Sequence, residues 1–189
     1  MLRELFRRPR PAAAEPAPGP DALVAVYARA EHYYLEPFHR TRLAEAGFWI
    51  GSGEVTTLSA DAADAALGSA VLEALALSRV EVPVPPRGAK LEAGLFRAMG
   101  VRSRRASMAG TLACNVEREP ARSAAAPCLR VEALANGGTS GDSRGYRGLP
   151  ERHVVELPLG GADATMDAFT ALVGRTVRES LHEHATAVG

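Results

Sequence analysis

The spacing of apolar residues changes several times along the chain, and each change marks a predicted element. Residues 22–28 (ALVAVYA) are rich in strand-favouring types and predict a first strand, continuing toward Tyr33 and Tyr34. Residues 48–50 and 54–58 predict two short strands separated by the turn signal Gly51-Ser52-Gly53. Beyond Ser59 the period lengthens. Leu67, Val71 and Leu75 fall four apart with Ala63, Ala70 and Ala74 flanking them, which is the apolar stripe of a helix running to about Arg79. Ser59 is the expected N-cap, Asp61 and Asp64 place negative charge in the first turn, and Pro83, Pro85 and Pro86 prevent any continuation.

A second helix fits residues 89–99, with Leu91, Leu95 and Met99 on one face and Gly100 to end it. Residues 103–110 predict a short helical turn. Leu112, Cys114 and Val116 then alternate with Ala113, Asn115 and Glu117, the period of a strand with one face in a core. Its expected partner is 128–135, where Leu129, Val131 and Ala133 alternate with Cys128, Arg130 and Glu132. Symmetric closure of the loop over 119–126 sets Val116 against Leu129, Cys114 against Val131 and Leu112 against Ala133, with the two cysteines on opposite faces. Residues 136–148 (NGGTSGDSRGYRG) form a glycine-rich loop, and 153–157 predict another strand. A C-terminal helix starts near Asp163 and carries Met166, Phe169, Val173, Val177 and Leu181 as one stripe. No internal repeat is present. Strands, helices, strands and helix in that order predict an α+β fold, an antiparallel or mixed β-sheet with helices packed mainly on one side.

A length of 189 residues accommodates one domain with a real core. Residues 9–20 (PRPAAAEPAPGP) hold five prolines and little that packs, so residues 1–20 are expected to be a disordered Pro/Ala/Arg-rich leader and 21–189 a single domain. Lys and Arg together number 22, as do Asp and Glu, and this balance argues against a direct nucleic-acid partner. Lys90 is the one lysine; arginine and alanine dominance points to a GC-rich bacterial genome. The absence of an apolar run long enough to span a bilayer, and of a secretory h-region after the arginine-rich start, leads to the expectation of a cytoplasmic protein. Cys114 and Cys128 are too few for a disulfide framework and are expected to be free.

Candidate chemistry is sparse. His182 and His184 crowd a helix end with Glu179 and Glu183, but residues two apart point about 200° apart on a helix and do not share a metal ion. His32 and His39 flank Tyr33, Tyr34, Glu36 and Phe38, read as half-exposed aromatics and neighbours of an edge strand. The cysteines sit within strands rather than at helix starts, so neither reads as a nucleophile. Gly51-Ser52-Gly53 and Gly137-Gly138-Thr139-Ser140-Gly141 match no phosphate-cradling pattern and read as turns. Arg102, Arg104 and Arg105, near Arg87, Lys90 and Arg97, form a basic patch without interleaved aromatics, which favours a protein face over RNA. No catalytic, cofactor-binding or metal-binding residue is assigned, and the expectation is a protein that works by binding another protein rather than an enzyme.

From Leu58 onward the residues resemble the immunity proteins of bacterial contact-dependent growth inhibition systems. The matching features are the LSADAADAALGSAVLEALALSR segment with Leu67-Gly68, then Gly100-Val101-Arg102-Ser103, the strand ending Asn115-Val116-Glu117, and the later Gly145-Tyr146-x-x-Leu149-Pro150. Residues 22–185 are covered; an aromatic often follows the serine matching Ser103, and Arg104 stands there in this chain. The resemblance implies a protein that binds the toxic C-terminal domain of a cognate effector, a protein partner, and neutralises it without chemistry or cofactor of its own. Arg144, Tyr146 and Arg147 are the candidate toxin-contacting residues, since arginine and aromatic anchors dominate interface energetics. Two other classes stay open: a small hydrolase or transferase with a pocket joining His32, Glu36 and His153, and an adaptor docking through the arginine-rich leader.

Overall fold

A computed structural model describes residues 19–42, 47–121, 126–139, 145–149, 154–159 and 165–187; most of the 1–20 leader, with Arg144, Pro150 and His153, lies outside them. The chain forms one curled, largely antiparallel sheet whose main path runs β3 (Trp49–Gly51), β2 (His32–Thr41), β1 (Ala22–Arg29), β6 (Leu112–Glu119), β7 (Cys128–Asn136), β8 (Tyr146–Gly148). β4 (Thr56–Ser59) and β5 (Arg79–Val82) also pair with β2, the latter in parallel, and β9 (Val154–Pro158) pairs with β7. The helices are α1 (Asp64–Leu77), α2 (Ala93–Ala98), α3 (Arg104–Met108) and α4 (Met166–Ala187). The two long ones share one face of the sheet, as expected for an α+β fold; short α2 packs on the other face.

β1 shows why both faces need cover. Ala22, Val24 and Val26 point into a core shared with Leu67, Val71 and Leu75 of α1 and Val173, Val177 and Leu181 of α4. Ala25 and Tyr27 point the other way, into a smaller core with Tyr34, Leu95, Met99 and Leu134. The strand is therefore apolar throughout rather than alternating.

Several local expectations are corrected. β1 does not continue to Tyr33 and Tyr34: the chain reverses at Ala30-Glu31, and β2 returns with Arg29 opposite His32. Ala-Glu lacks the Gly or Asn that marks tight hairpins, and Ala30 takes the turn at a φ of 51°. Tyr33 and Tyr34 are consequently buried, one in each core, rather than half-exposed on an edge. Ser59 ends β4 and does not cap α1, whose N-cap is Ala63 with no side-chain cap bond. α1 stops at Leu77 and Arg79 starts β5, because the Ser78 hydroxyl donates to the Phe38 carbonyl at 2.6 Å and accepts from the Leu23 N–H at 3.1 Å. α2 begins at Ala93 rather than 89. Ser103 does cap α3, accepting from the Ala106 N–H at 3.2 Å.

The β6–β7 hairpin keeps its predicted faces but slips by two residues: Val116 stands opposite Val131, Cys114 opposite Ala133 and Arg118 opposite Leu129. Alternation alone does not distinguish registers two apart. The observed one sets Arg130 opposite Glu117, Nη1 to Oε2 at 2.7 Å, and lets the same guanidinium reach Glu132 at 3.1 Å. Neither cysteine is in a disulfide; burial pushes the Cys114 thiol up to about 12, so it is an inert core group.

Arg178 ties α4 to the segment that leads into α1. Its guanidinium donates to Asp64 Oδ1 at 3.0 Å, to the Tyr33 hydroxyl at 2.9 Å, and to the carbonyls of Ala60 and Ala62 at 3.0 and 2.6 Å. Alanine there leaves two half-buried carbonyls unpaired. Arg178→Ala is expected to lower the unfolding free energy by about 2 kcal/mol in urea titrations, with Arg178→Lys restoring only part, since an ammonium lacks the planar fork.

Candidate functional site

The second face of the sheet does not close completely. Between the strands and the α2–α3 segment lies a groove of about 860 Å³. Its floor is Ala25, Tyr27 and Glu36 from β1 and β2, its far wall includes Tyr146 of β8, and Phe48 and Trp49 stand at one end. Lys90, Arg102 and Arg104 line the helical rim and are exposed, so part of the basic patch seen in the sequence borders this groove. Arg104 is held by Glu92, Nε to Oε1 at 3.6 Å.

Glu36 is the unusual residue. It is only 3% exposed, and among the described residues its Oε1 is buried without a hydrogen-bond partner. Burial pushes its carboxyl up to about 7, the charge of Glu92 adds to that, and a hydrogen bond from the Gly53 backbone offsets part of it. Gly51 is needed beside it: a Cβ there would lie 2.8 Å from the Glu36 Cδ. Tyr27, its neighbour on the floor, is raised well above the ordinary tyrosine value by burial and then by the Glu36 charge. Tyr146 packs its ring against Tyr27 at a centroid distance of 5.5 Å, and burial pushes its hydroxyl up to about 12. Both phenols stay neutral at physiological pH.

The acidic character extends along this face. Asn115, Glu132 and Glu36 belong to one row across the sheet, and Glu117, Arg130 and Glu156 to the next. Burial raises Glu117, with Glu132 and Glu119 contributing, while Arg130 opposes the shift.

Of the candidate toxin-contacting residues, Tyr146 is half-buried in the groove wall, Arg147 is exposed on β8, and Arg144 lies outside the described residues. His32 shares Glu36's face but stands four residues away along β2, about 13 Å at the rise of a strand. His153 lies outside the described residues, so of the pocket joining His32, Glu36 and His153 only this His32–Glu36 separation is placed. His39 lies on the opposite face, its Nδ1 accepting from the Arg79 N–H at 3.2 Å, and burial together with Arg79 lowers its pKa. His182 is exposed on α4, and among the described residues no group of three or more His, Cys, Asp or Glu is placed to hold a metal ion. No helix among them is long and apolar enough to cross a membrane.

The groove joins residues far apart in sequence, so Tyr27, Trp49 and Arg104 carried no shared signal there. Glu36 carried one: a carboxylate in a strand segment otherwise made of Tyr, Leu, Pro and Phe.

No family model matches the chain, and no curated protein matches its sequence. Among solved structures it is similar to a protein of unknown function from Neisseria meningitidis, at 16% identity and a TM-score of 0.62, covering 86% of this chain and 94% of that one. It is also similar to a chain of the CdiA-CT/CdiI toxin and immunity complex from Yersinia pseudotuberculosis, at 15% identity and a TM-score of 0.56, covering 86% and 96%. At these identities the likenesses show the fold.

Proposed function

We propose that this protein is an immunity protein, which binds the toxic C-terminal domain of a contact-dependent growth inhibition effector and neutralises it in the cytoplasm of the cell that makes it. The observation that carries the reading is the shared fold with a chain of a toxin and immunity complex over nearly the whole of both chains. The groove adds physical support. It offers exposed Phe48 and Leu91, a polar and charged rim, and a partly desolvated floor, the mixture that suits a specific protein contact.

Such a protein acts by occlusion, so its effect is stoichiometric. Co-expression with the toxin domain encoded immediately upstream is expected to restore growth, and the chain lacking residues 1–20 is expected to rescue equally well. Continued growth arrest with the full chain counts against the reading. Rescue by the full chain and not by the shortened one assigns the work to the leader, as an adaptor requires.

A second reading has one observation in its favour, the carboxyl of Glu36 raised to about 7 in a groove, which suits general acid–base catalysis. The two differ in stoichiometry. An enzyme protects at a small fraction of the toxin concentration and forms no lasting complex, whereas an immunity protein protects only near equivalence.

A further inference from the structure

We propose that the groove over β1 and β2 receives an arginine side chain of the bound toxin domain, with the Glu36 carboxylate accepting its guanidinium. The inference rests on the immunity reading and names the group that the partner inserts.

Glu36 is buried, lines the groove, and has no donor to its Oε1 among the described residues. A buried acceptor in that state is costly, and a ligand that brings an N–H donor recovers the cost. The groove's own cations do not fill the role. Arg104 is engaged with Glu92 at the rim, Lys90 and Arg102 are exposed, and the charge acting on Glu36 is the negative one of Glu92. The titratable or charged groups around it are Tyr27 from β1, Glu92 at the start of α2, Arg104 from α3 and Tyr146 from β8. Two are neutral phenols and two pair with each other, which leaves the floor short of positive charge.

The charge of the whole face agrees. Glu117, Glu132 and Glu156 share it with Glu36, and the strand-borne cations there are engaged elsewhere: Arg130 pairs with Glu117 and Glu132, Arg29 donates to the Ala109 carbonyl, and Arg40 lies over the Trp49 ring. Guanidinium suits the walls better than ammonium. It is planar, weakly hydrated and stacks on aromatic faces, which Tyr27 and Tyr146 supply; the chain's own Arg40 already lies over the Trp49 ring at 6.0 Å.

The test has two arms on the full-length protein. In the first, Glu36 is followed by carboxyl carbon NMR from pH 4 to 9, with ethylguanidinium chloride or with sodium chloride at equal ionic strength. The expected result is a midpoint near 7 in sodium chloride that falls by at least one unit with ethylguanidinium; an identical midpoint in both salts overturns the proposal. In the second, Glu36→Gln is expected to weaken binding of the upstream-encoded toxin domain at least tenfold, with an unchanged circular dichroism spectrum. Undiminished affinity overturns the arginine contact and leaves the immunity reading standing. If the wild-type protein does not bind the toxin domain, the immunity reading falls, and with it the assignment of the arginine to a toxin.

Discussion

Gly68→Ala and Gly174→Ala are each expected to lower the unfolding free energy by about 4 kcal/mol, and the melting temperature by roughly 10 °C or more. On helix propensity alone both changes should stabilise, since Ala is favoured over Gly in a helix interior by about 0.5–1 kcal/mol. The crossing of α1 and α4 reverses the sign. A Cβ on Gly68 would lie 2.7 Å from the Thr170 carbonyl carbon and 3.0 Å from the Gly174 nitrogen; one on Gly174 would lie 2.7 Å from the Asp64 carbonyl carbon and 2.9 Å from the Gly68 nitrogen. Every one of these neighbours is backbone, so no side chain can swing aside. The helices must separate, and the core formed by Leu67, Val71, Val173 and Val177 loosens with them. Ser69→Ala, one residue along α1, is the control and should change stability by under about 0.5 kcal/mol. Equal effects at residues 68 and 69 would contradict this account of the crossing.

Glu36→Gln should act in the opposite direction, raising the unfolding free energy by about 3 kcal/mol at pH 8 while changing it little at pH 4. The sign follows from where the proton leaves. In the unfolded chain Glu36 ionises near its ordinary value of 4.5, whereas burial holds it to about 7 in the folded protein. Between those values the folded state binds more protons, so stability falls as pH rises, and the full penalty is present above 7. Glutamine keeps the shape, and its amide oxygen can still accept from the Gly53 backbone, but it never carries the charge. Glu117, also raised by burial, titrates alike in both proteins and drops out of the difference. Urea titrations of both proteins at pH 4, 6 and 8 measure it. Two stability curves that run parallel across that range would show that Glu36 ionises normally.

The two effects show what was legible in the sequence. The stripes of α1 and α4 were readable because helical period alone sets which residues share a face: Leu67, Val71, Leu75, Val173, Val177 and Leu181 are all buried and Phe169 packs against them, whereas Met166, at the helix start beyond the core, is 71% exposed. Gly68 and Gly174 interrupt those stripes, but a glycine's need for a close backbone neighbour is a property of two helices together. The alternation in β6 and β7 fixed which residues face the larger core and not the register, which the Glu117–Arg130 pair decides across the hairpin. The reversal between β1 and β2 is made by Ala30 and Glu31, which carry no turn signal, so the sequence pattern does not separate the strand that bears Glu36 from β1. The groove was illegible for a simpler reason: Tyr27, Glu36, Trp49, Arg104 and Tyr146 come from five separate segments. Tyr146 was singled out in the sequence as a loop anchor. The structure places it on β8 against Tyr27, in the wall of that groove.

The central claim is that this chain captures a toxin domain as a protein partner, and direct titration of the two purified proteins tests it most closely. Isothermal calorimetry of the full chain with the upstream-encoded toxin domain should give a one-to-one complex with a nanomolar dissociation constant, together with loss of toxin activity at equivalence. No measurable heat at micromolar concentrations, with toxin activity unchanged in the presence of excess protein, would contradict it.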